Sequence, residues 1–340
     1  MTPSDRYRDA GVDLDAADRA KRRIASAVGG TRTALSVGRF GAFGGMVRVP
    51  QGVRQPVLVL STDGVGTKVL VAIRAGRHDT VGEDLVNHSV NDILVHAATP
   101  VAFLDYIAGA SLETETIASL VEGVARGCRA HEMALAGGET AQMPDLYHPG
   151  HYDLAGTIAG VVAEEDALHG DRVRVGDVLV GYASNGLHTN GYTLARRIVF
   201  DGLGLDVGDT LPDVGGTAGD VLLAVHTSYR AAVVPALDRI RSLAHITGGG
   251  IPGNLVRSLP QGCGAKILRS TWEVPPLFRL LQRAGRVDDA EMFRVFNMGV
   301  GMIAAAAPAD ADAIVRVAAV AGVSAWVVGE VVTGEGVEIA

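Results

Sequence analysis

Cysteine is almost missing from this chain: among 340 residues only Cys128 and Cys263 carry a thiol, in unrelated contexts and without C-x-x-C spacing. A disulfide framework and a zinc site are therefore not expected, and a reducing compartment is. Equally missing is any uninterrupted apolar run near the ~20 residues that a membrane helix needs, so no membrane partner is expected. The opening residues, Met1 to Asp9, lack the basic start and apolar stretch of a secretory signal, which places the protein in the cytoplasm. Positive charge is also scarce. The formal net charge is −8 and the basic residues are scattered without a block, which argues against a nucleic-acid surface.

What remains is an ordinary globular composition, 48% hydrophobic and 20% charged, with one outlier: 44 glycines, many clustered beside polar residues. Such clusters mark turns and places where a ligand approaches the backbone. Single cores usually stop growing near ~250–300 residues, so 340 residues predict two domains. The charged, turn-rich stretch from Glu164 to Asp177 marks the boundary, dividing the chain into 1–168 and 169–340. Residues up to about Gly45 read as a helix followed by a glycine-rich lid. The spacing then predicts a strand from Val57, helices over 69–74 and 80–97, a strand over 100–107, a helix over 113–131, a short strand over 133–136 and a long strand over 152–163. In the second half it predicts strands over 178–183, 264–268, 295–305 and 325–332, and helices over 191–201, 219–242 and 275–284. The fold class is α+β, two mixed α/β units.

The chemistry concentrates in a few segments. Ser61-Thr62-Asp63-Gly64-Val65-Gly66-Thr67-Lys68 sets an acid, hydroxyls, two glycines and a lysine in one short turn. Gly64 and Gly66 open the backbone to anionic oxygens, Asp63 suits a divalent cation and Lys68 a phosphate. The pattern is neither a dinucleotide fingerprint nor a P-loop, since no third glycine follows and G-x-x-x-x-G-K-[ST] is nowhere present. Upstream lies a glycine loop containing Gly41, Gly44 and Gly45, and downstream lie Asn91, Asp92 and Glu139.

Asn91 and Asp92 fall inside a predicted helix, where short polar residues ordinarily face solvent. Asp84, His88, Asp92 and His96 recur every four residues there, which raises a transition-metal ladder. One helix offers at most two of them to one ion, so a hard-cation role for Asp92 beside Asp63 is preferred. Gly137-Gly138-Glu139-Thr140 follows a short strand and would hold Glu139 at its end. In the second half, Leu187-His188-Thr189-Asn190-Gly191 offers a histidine for proton transfer near neutral pH. His245-Ile246-Thr247-Gly248-Gly249-Gly250 opens a helix and suits a phosphate monoester.

Together these segments resemble the phosphoribosylformylglycinamidine cyclo-ligase family of de novo purine synthesis, whose superfamily includes selenophosphate synthetase and thiamine monophosphate kinase. The resemblance runs nearly the full length. It rests on Tyr7 to Asp15, Phe43-Gly44-Gly45, Thr62 to Lys68, Val90-Asn91-Asp92, Phe103 to Tyr106, Gly137 to Pro144, Leu187 to Tyr192, Thr247 to Gly250 and Phe296 to Met302. One departure is Val225-His226-Thr227-Ser228-Tyr229, where a proline is expected before the threonine.

The resemblance implies ATP-dependent closure of the imidazole ring of formylglycinamidine ribonucleotide, with release of ADP and phosphate. It implies Asp63, Asp92 and Glu139 as ligands of Mg²⁺ with ATP, and Asp92 also as a catalytic residue. Gly41, Gly44, Gly45, Thr62, Gly64, Gly66, Thr67, Lys68 and Asn91 would hold the nucleotide, and Thr247 to Gly250 the substrate phosphate. His188 and Asn190 would position substrate or move a proton. It also implies a homodimer whose amino-terminal strands form a shared barrel beside a carboxy-terminal α+β domain. A kinase acting on another acceptor is the alternative. The selenophosphate branch is expected to carry a reactive cysteine near the amino terminus, and none precedes Cys128. A catalytically idle binding subunit would be expected to lose the acids.

Overall fold

Strand alternation in one segment sets up the whole molecule. The computed structural model describes residues 14–38, 44–111 and 113–340. After helix α1 (Leu14–Gly29) and the two-residue strands β1 (Ser36–Val37) and β2 (Met46–Val47), β3 (Pro56–Gly64) begins a four-stranded sheet with β4 (Thr99–Gly109), β5 (Ala134–Gln142) and β6 (Tyr152–Ala163). The strand order is β3-β6-β4-β5, with β4 and β5 parallel and the other pairs antiparallel. Along β3 the period of two sends Val59, Ser61 and Asp63 to one face and Leu58, Leu60 and Thr62 to the other. The first face is covered by helix α3 (Asp79–Leu94), which follows helix α2 (Lys68–Ala75). The second face stays open, and Leu58 and Leu60 are 61% and 66% exposed.

Helix α3 is buried along most of its length, including Leu85, Val90, Ile93 and Leu94. It packs against α4 (Thr114–Ala130) at a crossing that glycine makes possible. A Cβ on Gly123 would stand 1.9 Å from the carbonyl oxygen of Asp79, and one on Gly82 2.2 Å from that of Leu120. Gly123→Ala is therefore expected to destabilise the protein by ~1–3 kcal/mol, because separating the helices outweighs alanine's better helix propensity. The urea midpoint measures it, and an unchanged midpoint would show that the crossing has slack.

The second half builds a six-stranded sheet from β7 (Val178–Ala183), β8 (Ile240–His245), β9 (Cys263–Ile267), β10 (Val300–Ala306), β11 (Ala325–Thr333) and β12 (Val337–Ile339), in the order β12-β9-β11-β7-β10-β8. Two readings are corrected here. The long helix expected over 219–242 is three short helical pieces, Ala218–Leu222, Arg230–Val233 and Val234–Arg239, followed by β8. The apolar periodicity of 229–243 spans a change from helix to strand at Ile240, after Pro235 near the start of the last piece, where a missing N–H is harmless. The strand expected over 133–136 runs on to Gln142, so Gly137-Gly138-Glu139 lies in a strand paired with β4 rather than in a turn. The lid motif falls partly outside the described residues, which include Gly44 and Gly45 but not Gly41.

The two sheets are joined through α3. Asn87 Nδ2 donates to the carbonyl of His226 at 2.9 Å, and Asn91 Nδ2 to that of Thr227 at 2.9 Å. Exposed pairs Arg74–Asp206 and Arg77–Asp220 add to the same contact from α2 and the turn after it.

Candidate active site

Asp63 ends β3 on the covered face, and Asp92 stands on the last full turn of α3 opposite it. Ser61 Oγ donates to Asp92 Oδ2 at 3.1 Å. Between the two acids sits His88, whose Nε2 lies 2.7 Å from Asp63 Oδ2 and 3.5 Å from Asp92 Oδ2. Burial works against charge on all three, but their mutual attraction wins: both carboxyls are held below the usual range and His88 above the ordinary imidazole value. From the second sheet, β8 delivers His245, whose Nδ1 meets Asp92 Oδ1 at 2.8 Å. Asp63, Asp92 and His245 line a cleft of ≈ 450 Å³ between the two sheets, with Ser61, Thr247 and Arg257 along its walls.

Several expected residues are elsewhere. Lys68 does not reach the cleft: it is fully buried, and its Nζ donates to Asp84 Oδ1 at 2.9 Å, the carbonyl of His188 at 3.1 Å and that of Ala224 at 2.7 Å. All three ammonium donors are used, so no donor is left for a phosphate. Asn91 is likewise consumed, accepting from the Tyr229 amide at 2.9 Å while its amide nitrogen faces Thr227 and His226. Asn91 and Asp92 are thus interface residues of the helix, contrary to the solvent-facing expectation.

Glu139 does not join Asp63 and Asp92 around one ion. It pairs in register with Tyr106 on the open face of the sheet, whereas Asp63 faces α3. It also lies three strands from β3, about 14 Å at the usual strand spacing. Gly45 sits with it instead, packed where a Cβ would meet the Ala136 carbonyl of β5 at 2.4 Å.

His188 is 1% exposed and stacks on His226 at 3.9 Å between ring centroids. Burial drives both rings well below the ordinary imidazole value, and neither His188 nor Asn190 lines the cleft. Direct proton transfer from His188 to substrate is therefore corrected. Of the remaining residues, Thr62 Oγ1 contacts Thr157 Oγ1 at 2.8 Å on the open face, and Thr67 Oγ1 contacts Thr193 Oγ1 at 3.0 Å across the two halves. Gly64 lies in the strand and Gly66 takes φ +54, beside the carbonyl of Thr189. Thr247 is on the cleft wall and Gly248 and Gly249 are exposed beside it, but Gly250 serves packing: its Cβ would collide with the Phe293 carbonyl at 1.8 Å.

Two residues of the site are not singled out by the sequence motifs: His245, at the head of the glycine segment, and His88, within the four-residue ladder, both contact Asp92. The departure at His226 proves structural too: its amide donates to Asp84 Oδ1 at 2.7 Å, a bond proline cannot make.

Asp105 is the other perturbed acid. It lies on the covered face against Gly138, and burial pushes its carboxyl up to about 7. The folded state therefore holds a proton that the unfolded chain releases near 3.8, so stability is complete below that value, falls as pH rises toward about 7, and is level above. Asp105→Asn is expected to stabilise the protein at pH 8 by on the order of 2 kcal/mol, discounted for partial exposure, and to be neutral near pH 4. Thermal melts at both pH values measure this; an equal effect at both would exclude the proton as its cause.

The architecture is that of a known class. Thiamine-monophosphate kinase from Stenotrophomonas maltophilia K279a superposes with a TM-score of 0.69 at 17% identity, over 95% of this chain and 94% of that one. Hydrogenase maturation protein HypE in complex with ATP gives 0.63 at 18%, over 92% and 86%. Residues 45–162 match the family described as AIR synthase related protein, N-terminal domain, and 174–340 its C-terminal domain. The chain belongs to the AIR synthase family. It is 46% identical to a phosphoribosylformylglycinamidine cyclo-ligase of Sorangium cellulosum (strain So ce56) over 96% of this chain and 95% of the relative. It is 45% identical to the protein of that name from Xanthomonas campestris pv. campestris (strain B100), over 98% of each.

Proposed function

We propose that the chain catalyses ATP-dependent ring closure of formylglycinamidine ribonucleotide to 5-aminoimidazole ribonucleotide, releasing ADP and phosphate, as a cytoplasmic enzyme of purine synthesis. The observation that carries this reading is near full-length likeness to relatives of that name, joined to an acid-lined cleft between the two sheets. An amide oxygen is a poor leaving group. Phosphorylating it lets the neighbouring amidine nitrogen displace it, and both groups lie in one molecule, so orientation supplies much of the rate.

Asp63 and Asp92 would hold Mg²⁺ with the triphosphate, since that ion takes one or two carboxylates and fills its shell with phosphate oxygens and water. The pair fits: Asp63 is nearly half exposed, and both acids line the cleft. When bound, the ion neutralises charge on the transferring phosphoryl group. His245 orients Asp92 through Nδ1. Thr247, Gly248 and Gly249, with the guanidinium of Arg257, would take the substrate phosphate. Gly45, held against β5, would contact the nucleotide. The nucleotide and the lid are assigned to domain 1–168 and the phosphate loop to 169–340.

The open face of the first sheet, where Leu58, Leu60, Leu104 and Tyr106 are exposed, supports a homodimer. Two such faces brought together would bury them and form a shared barrel. Sedimentation at twice 35.2 kDa is the expected result. Among the described residues no helix is long and apolar enough to cross a membrane. The assay is purified protein with Mg²⁺–ATP and formylglycinamidine ribonucleotide, followed for aminoimidazole product and ADP. ADP formed only with thiamine monophosphate would reject the cyclo-ligase reading.

A further inference from the structure

Behind the acids, four imidazoles lie in one buried cluster whose hydrogen bonds do not all close among the residues present. The Asn91 side chain is fixed by two backbone groups, its oxygen accepting from the Tyr229 amide and its nitrogen donating to the Thr227 carbonyl. Its remaining N–H faces His226 Nε2 at 3.2 Å, so that nitrogen is an acceptor and the ring proton sits on Nδ1, toward Thr189 Oγ1 at 3.4 Å. His245 donates from Nδ1 to the Asp92 carboxylate, so its Nε2 carries a lone pair as well. These two Nε2 atoms face each other at 3.2 Å. His226 Nε2 has one ring lone pair, which the Asn91 N–H engages, so His245 Nε2 faces it with no proton to accept, and an ion between the two nitrogens would take the place of that N–H.

The spacing is that of metal ligands. Two nitrogens each ~2.0–2.1 Å from a tetrahedral zinc ion stand about 3.3 Å apart. A third imidazole is at hand: one ring nitrogen each of His188, His226 and His245 lie within 4.8 Å of one another, all buried. Neither ring nitrogen of His188 has a partner, nor does the amide nitrogen of Asn190 two residues on. His188 lies stacked on His226 with the ring planes 22° apart, so it has to rotate out of the stack to share an ion with it, a turn that costs no hydrogen bond. Buried polar atoms left unpaired in this way call for an ion or a water. The Asp92 carboxylate on Nδ1 of His245 is the outer partner that zinc-binding histidines ordinarily have.

We propose that His188, His226 and His245 form a buried site for a borderline divalent transition metal, Zn²⁺ by class, separate from the oxygen ligands offered to Mg²⁺. Three neutral imidazoles favour such an ion over Mg²⁺, which takes oxygen. The fourth position is left for water. A proton shared between His226 and His245 is the competing occupant.

The test is Co²⁺ titration of the untagged, chelator-stripped protein, read by visible absorption and without turnover. One equivalent should bind with the intense bands of a tetrahedral nitrogen site, be displaced by Zn²⁺ and resist excess Mg²⁺. His226→Gln should weaken binding by more than about 100-fold, beyond the 10–100-fold typical of losing an outer partner. Zinc-edge anomalous scattering from Zn²⁺-soaked crystals of the unaltered protein should place the ion among the three imidazoles, which keeps the test decisive if the variant misfolds. Weak octahedral bands, displacement by Mg²⁺, or unchanged affinity in a folded His226→Gln protein would overturn the proposal. So would an anomalous peak at Asp63 alone, or no binding at all, which leaves the proton as occupant.

Discussion

Lys68→Met is expected to cost about 3–5 kcal/mol of stability, the scale of breaking a buried ion pair and leaving one charge uncompensated. Lys68 and Asp84 are both fully buried, with Nζ 2.7 Å from Asp84 Oδ2. Burial pushes the lysine down and the acid up, each toward neutrality. Lys68 stays charged because three acceptors surround it, two of them carbonyls of the second half of the chain. The residue therefore holds the loops bearing His188 and Ala224 against α3. The control is Lys68→Met with Asp84→Asn, in which the amide oxygen still accepts from the His226 amide and no charge is stranded. Most of the loss should return in that double variant. Chemical denaturation followed by tryptophan fluorescence measures both, and an equal loss in single and double variants would mean the pair's charge is irrelevant.

Asp63→Asn is expected to keep the fold and lose at least about 100-fold in kcat/KM, the scale of removing one electrostatic contact to a transition state. Its carboxylate is 47% exposed at the mouth of the cleft, where it can meet a ligand without unpacking the core. The amide keeps the shape and loses the charge that a triphosphate's cation needs. Steady-state kinetics at saturating ATP, with circular dichroism as the folding control, checks this. Turnover within a few-fold of the parent would remove Asp63 from the cation site.

Much of this was legible in the residues themselves. The β3 segment has β-branched and leucine residues ending in Asp-Gly, and its period of two already sends Ser61 and Asp63 to one side. The spacing of Val81, Leu85, Val90 and Leu94 marks α3. Illegible were the facts that depend on what lies opposite. A lysine after a glycine turn has the chemistry of a phosphate ligand, and only the packing of α2 on α3 turns Lys68 inward to Asp84. Glu139 is an acid beside glycines in either reading, yet the register of β5 on β4 puts it on the face away from Asp63. His188 reads as a proton-transfer group in a glycine-bounded loop, whereas burial beneath the stacked His226 keeps it from the cleft.

The order of amino acids alone determined most of the element types, though not the strand β8 at the end of a stretch that reads as one helix, together with the two-part organisation and the kinds of group available for catalysis, because local periodicity and side-chain chemistry do not depend on distant neighbours. Tertiary structure decided which groups meet. Asp92 and His245 are 153 positions apart, and their contact exists only because α3 and β8 bury their apolar faces against a common interior. That packing turns scattered donors and acids into a cleft with a histidine cluster behind it.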